Sequence, residues 1–195
     1  MKTLNTDLLN EMYQQVANLD EGLLFSGLTV VAKDAAEYMA ARGLYDEATQ
    51  SFQQNYAAVM GDERNYWEKH GSPLYHTLQE EQLPNGMARA AENGKAELLQ
   101  LSDPGLHHEW LHFPGQKFLK KFGEKWKKTL CEGEDSPYHK LENGLLGQAE
   151  LPVTIAASIL TVGFAAATFF YPLALYIGLL LVKTGFKVYC EKNDD

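Results

Sequence analysis

Residues 151–182 read LPVTIAASILTVGFAAATFFYPLALYIGLLLV, thirty-two positions without a charged side chain, bounded by Glu150 and Lys183. As one helix the run would be roughly 48 Å long, against a hydrocarbon core of roughly 30 Å. A single perpendicular span cannot use all of it. Pro172 follows Phe169-Phe170-Tyr171 and removes a backbone donor while pushing Tyr171 away from helical geometry, which predicts a break there and hence two helices. The first leg, Leu151 to Phe170, is long enough to cross a bilayer. Its small residues Ala157, Thr161 and Ala165 recur every fourth position, and Gly163 with Ala167 repeats that spacing, which lets helices approach closely in lipid. The second leg, Pro172 to Val182, spans only if Lys183 and Lys187 extend to the headgroups. The expectation is a transmembrane helical hairpin.

Upstream of the run the chain divides into an acidic body, 1–114, and a juxtamembrane stretch, 115–148, ahead of the apolar segment and polar tail, 149–195. The net charge of −9 is uneven. Residues 1–116 hold 7 basic and 17 acidic groups, whereas residues 117–128 hold 6 lysines and one glutamate. An acidic body disfavours direct nucleic-acid binding, because phosphate attraction supplies most non-specific affinity. The amino terminus shows no apolar signal core, which predicts that the body stays in the cytosol. Cys131 and Cys190 form neither a CxxC pair nor a disulfide framework, and are expected to be free thiols.

The body carries helical periodicity only. Thr6 can cap a helix through Leu8, Leu9, Met12 and Val16, and Glu21 to Arg42 forms a second that ends at Gly43. Asp46 to Met60 predicts a third, stopped at Gly61-Asp62, with a short helix over Arg64–His70 after it. Leu74–Leu83 and Met87–Leu101 supply two further segments. No stretch alternates with period two, so the fold class is all-α: a cytosolic helical bundle followed by the apolar hairpin.

Residues 116–128, QKFLKKFGEKWKK, predict a basic amphipathic helix. Phe118, Phe122 and Trp126 fall on one face with Leu119 and Leu130, and Lys120, Lys121, Lys125 and Lys128 lie outside it. Such a helix can lie in the headgroup region with its aromatics down and its lysines near anionic lipid. The lysines of 117–128 and Lys140 before the apolar run, and Lys183, Lys187 and Lys192 after it, are expected to place both flanks on the cytoplasmic side of the membrane.

Two motifs offer catalysis instead. Arg64-Asn65 followed by His70 resembles the RNxxxxH signature of HEPN ribonucleases, which implies all-α protomers acting on RNA without metal; arginine would neutralise a phosphodiester and histidine move the 2′-hydroxyl proton. His108-Glu109-Trp110-Leu111-His112 resembles the HExxH of zincin metalloproteases, which implies His108 and His112 as zinc ligands and Glu109 as general base. That pattern continues to Gly115 and then fails, because Phe118 stands where a third histidine is needed. Pro114 is expected to cut the motif helix short.

Taken whole, a small helical body, a Trp-Lys-Lys-Thr-Leu-Cys segment and a C-terminal apolar hairpin resemble the membrane effectors of bacterial antiviral defence operons. They also resemble the pore-forming domains of colicins, in which an all-α body sheathes an apolar hairpin until it inserts. These resemblances imply a membrane-disrupting effector that needs no cofactor, forms homo-oligomers and answers to a signal or a partner protein from the same operon.

Overall fold

Apolar side chains that recur at helical spacing need a common core, and in the computed structural model that core is built around two helices buried on every side. The structure describes residues 3–44, 46–70, 83–98 and 111–191, apart from the side chains of Ala48 and Trp67. All regular structure among them is helical. Eight α-helices lie within these residues: α1 (Thr6–Val16), α2 (Glu21–Arg42), α3 (Glu47–His70), α4 (Met87–Glu92), α5 (His112–Cys131), α6 (Pro137–Glu142), α7 (Leu151–Gly163) and α8 (Tyr171–Glu191). A 3-10 turn, Thr168–Phe170, leads into α8.

Local chemistry sets the starts and stops. Asn5, rather than Thr6, caps α1 by accepting the Leu8 N–H at 3.1 Å. Asp20 accepts the Leu23 N–H at 2.8 Å ahead of α2, which ends on Gly43 at φ 63°, a left-handed angle that costs glycine little. Asp46 accepts the Thr49 N–H and Ser136 the His139 N–H, starting α3 and α6. Asp34 does the same at long range. Buried in α2, its carboxylate accepts the N–H groups of Gly86 and Ala88 at 2.6 Å each, fastening α4 to α2.

Residues 24–36 of α2 and 171–181 of α8 are buried without interruption, and the two helices pack on each other. Gly27 makes this possible, since a Cβ there would overlap the Tyr176 ring. α1, α4, α5 and α7 also pack around α8. One continuous core thus draws on all three stretches of the chain.

Several expected boundaries move. α3 runs through Gly61-Asp62 to His70, because an interior glycine costs only about 1 kcal/mol and Val59, Met60 and Glu63 keep their buried face. Pro114 stands in the first turn of α5, where backbone donors lack partners in any case, and so opens that helix instead of ending it. The helix from Met87 stops at Glu92, before Gly94 at φ 75°. The segment expected over Leu74–Leu83 lies outside the described residues except for Leu83, as do residues 99–110 and Lys192.

The apolar run also divides elsewhere than expected. α7 ends at Gly163 after 13 residues, roughly 20 Å and too short to span. Ala165 and Ala166 then take positive φ, 49° and 55°. Pro172 does not break the run: it sits in the first turn of α8, where its missing donor costs nothing. A transmembrane hairpin is therefore not shown. Among the described residues one helix, Thr168–Glu191 counted with its 3-10 turn, is long and apolar enough to cross a membrane, and 78% of its most apolar window is buried.

The cysteines need correction too. They are not free thiols: Cys131 at the end of α5 and Cys190 at the end of α8 form a disulfide, with Cα atoms 5.3 Å apart. The expectation failed because partners 59 positions apart are brought together only by the packing of those two helix ends.

Candidate functional site

Helix α5 carries both features singled out in the sequence, the aromatic face and the lysines, and the fold sends them in opposite directions. Phe118, Phe122 and Trp126 are at most 2% exposed, which corrects their expected contact with lipid in this conformation. They form one aromatic stack. Phe118 stacks on Tyr56 of α3 at 5.8 Å and on Phe122 at 5.9 Å, and Phe122 stacks on Trp126 at 5.4 Å. Phe164 meets the Trp126 ring edge-on at 5.4 Å and stacks on Phe170 at 3.9 Å. The aromatic face is thus part of the wall that holds the α7–α8 turn. Burial of rings this size dominates local packing energy, so the bundle and not solvent is their resting place.

Lys120, Lys121, Lys125 and Lys128 are all exposed. Lys125 donates to Ser51 at 3.2 Å, and Lys117, on the same helix, pairs with the buried Glu63 of α3 at 2.6 Å. The exposed lysines present a positive stripe on a protein of net charge −9.

The small residues expected to pack helices in lipid do other work. Gly163 admits Trp126, whose Nε1 lies 2.7 Å from where a Cβ would stand. Ala157 and Ala167 are half-buried, while Thr161 and Ala165 face solvent, and the Thr161 hydroxyl donates back to the Ala157 carbonyl at 2.8 Å. The close approach between the two apolar helices is made instead by Gly178 of α8, where a Cβ would overlap the Pro152 carbonyl of α7. Gly178 follows Ala174 by four positions, the same small-residue spacing on the second leg of the run, and that pair was the available signal.

A cleft of about 940 Å³ opens between the end of α2, the start of α3, α5 and the α7–α8 turn, lined by Tyr38, Arg42, Glu47, Lys125, Trp126 and Phe169. Arg42 lies over the Tyr38 ring at 5.2 Å. The cleft's charges are mixed, and Phe164, Ala165 and Ala167 of the α7–α8 turn form part of its lining.

The catalytic candidates do not converge. Arg64 and His70 are exposed on the last turns of α3, about 120° apart around the helix. The His70 ring stacks on Tyr66 at 4.3 Å, with Nδ1 2.8 Å from the Tyr66 carbonyl oxygen. His112 opens α5 with its ring against Gly22 of α2, while His108 and Glu109 lie outside the described residues. Among the described residues no three His, Cys, Asp or Glu side chains are grouped to hold a metal.

The carboxyl of Asp34 is a buried group whose titration is displaced. Burial raises its pKa above the ordinary 3.8, the hydrogen bonds from Ala88 and Gly86 oppose that rise, and Glu37 adds to it. Its role is the cap on α4. Comparison of the chain with protein-family models, curated proteins and solved structures finds no match.

Proposed function

We propose that this chain is a membrane-active effector that carries its spanning segment folded inside a water-facing helical bundle and transfers it to a bilayer. The observation that carries this reading is α8: long and apolar enough to cross a membrane, buried from Tyr171 to Leu181 and free of charge up to Lys183. A wall of protein side chains can be exchanged for lipid tails without stranding an ion. The lysines of α5 supply the first contact with anionic lipid, each worth about 1 kcal/mol at such a surface. Inserted copies then oligomerise and breach the bacterial inner membrane from its cytoplasmic side, under a signal or a partner from the same operon. The layout resembles that of antiviral defence effectors and of colicin pore-forming domains, which supports the same reading.

The test uses vesicles loaded with a self-quenched dye, with and without dithiothreitol so that bridged and unbridged chains are both sampled. Anionic vesicles should leak and neutral ones should not. Replacing Lys120, Lys121, Lys125 and Lys128 with Gln should suppress leakage while leaving the thermal melt unchanged within about 0.5 kcal/mol, because solvated side chains contribute little to the core. A chain that stays monomeric, ignores anionic vesicles in both redox states and washes from cell membranes in carbonate is not a membrane effector.

A further inference from the structure

The last turns of α8 form a clasp. At Gly185 the backbone leaves helical geometry, with φ 104° and ψ 80°, and the stretch after it is held by α5 and α6. The Phe186 ring meets Tyr138 of α6 edge-on at 6.3 Å. The Tyr189 hydroxyl donates to the Gly123 carbonyl of α5, and the Tyr138 hydroxyl donates to Glu191 at 3.3 Å. Cys190 closes the set through its bridge to Cys131. Ring contacts and hydrogen bonds break and re-form thermally; the S–S bond does not. While it stands, the end of α8 stays within about 7 Å of the end of α5, and the enclosed loop contains α6, α7 and nearly all of α8. The apolar helix cannot leave the bundle by itself.

We infer that Cys131–Cys190 is a thiol–disulfide exchange site, and that its reduction by a dithiol frees α8 from the bundle. Both cysteines are partly exposed, so the bridge is within reach from solvent. A thiolate of the donor attacks one sulfur, the Cys131–Cys190 bond breaks and a mixed disulfide forms. The second thiol of the same donor then displaces the bound cysteine. Two electrons have passed, the donor leaves as its own disulfide, and each cysteine sulfur takes up a proton. A dithiol is required because the packing of the α5 and α8 ends holds the two cysteines side by side, with Cα atoms 5.3 Å apart, so the freed cysteine re-attacks a mixed disulfide with a monothiol and expels it. The second thiol of a dithiol competes intramolecularly and completes the exchange. Disulfides in the cytosol are as a rule transient or redox-sensing. The inference rests on the membrane reading only for what the freed helix does next.

The experiment uses the full chain, purified without reductant and kept free of denaturant. Dithiothreitol should reduce the bridge in the folded protein, read as two iodoacetamide adducts by mass spectrometry, while glutathione at equal thiol concentration should not. On reduction, amide exchange over 171–191 should accelerate about tenfold or more, and that over 24–36 should change far less, as expected of a local opening. Cys190→Ser should reproduce this without reductant. A bridge that resists dithiothreitol until the domain unfolds overturns the inference, as does exchange that is unchanged over 171–191 or rises equally in both helices. Vesicle leakage separates the two readings. Equal leakage from bridged and reduced chain overturns the control by redox and leaves the effector reading standing; leakage from neither overturns the effector reading, and the exchange data still decide the clasp.

Discussion

Helices α2 and α8 are both buried on every side, yet they hide different chemistry. Between Leu24 and Ala36, α2 hides Ser26, Thr29, Lys33 and Asp34. Thr29 donates to the Leu111 carbonyl at 2.7 Å, Lys33 pairs with Glu37, and Asp34 caps α4. Between Tyr171 and Leu181, α8 hides no charge. Moving α2 into lipid would leave an ammonium and a carboxylate without the partners that make their burial tolerable, while moving α8 exchanges one apolar surrounding for another. Burial alone does not say whether a helix could leave the core without stranding an ion. The charges it encloses do.

The largest effect comes from erasing that difference. Lysine in place of Ile177 in α8 or Val30 in α2, both fully buried, should each cost roughly 5 kcal/mol as an unpaired internal charge, enough to abolish most of the bundle's stability. Urea midpoints should fall together. Membrane integration should not, because a lysine at mid-span adds about 3 kcal/mol to insertion and only Ile177→Lys places it there. Carbonate-resistant association retained by Val30→Lys and lost by Ile177→Lys is the expected pattern. Equal integration of the two would show that α8 is not the inserting segment.

This distinction was partly legible in the sequence. α2 could be read from end to end because Gly43 terminates it and its apolar residues recur at helical spacing, and the charge-free run announced α8. The turn between α7 and α8 could not be placed. Pro172 suits a break and a first helical turn equally, whereas the residues that turn the chain, Ala165 and Ala166, are ordinary helix formers held at positive φ by their surroundings. The faces of α5 were legible, but amphipathicity does not say whether aromatics meet lipid or protein. Tyr56, Phe164 and Phe170 decide that, and all three lie outside α5. The same holds for the cysteines, which meet only once the bundle is assembled.

Trp126→Ala sharpens the comparison from the side of the wall. With its ring 2% exposed and packed between Phe122 and Phe164, removal should lower stability by about 4 kcal/mol, read as a displaced urea midpoint. The loss should loosen the α7–α8 turn before α2, so exchange protection should fall first over 163–175. An unchanged midpoint would return the ring to the surface, and with it the aromatic face to lipid.

The smallest effect tests α2's tie to the rest of the bundle. Asp34→Asn keeps the shape but offers an amide N–H where one backbone donor now finds an acceptor, a capping loss of about 1 kcal/mol. Its pH dependence carries the sign. Because burial raises the carboxyl's pKa above 3.8, the folded state binds the proton more tightly than the unfolded chain. The stability linked to that proton is fully present below the unfolded value and is lost as pH rises through the raised one. Wild-type stability minus that of Asp34→Asn should therefore be greatest below 3.8 and shrink as pH rises through a window that opens near that value. The same subtraction for Ile177→Val in α8, a loss of about 1 kcal/mol with no titrating group, should be flat. If the wild-type advantage at position 34 instead grows with pH, the two N–H donors outweigh desolvation, and α2 is held to the bundle by an ion stabilised in place rather than one buried at a cost.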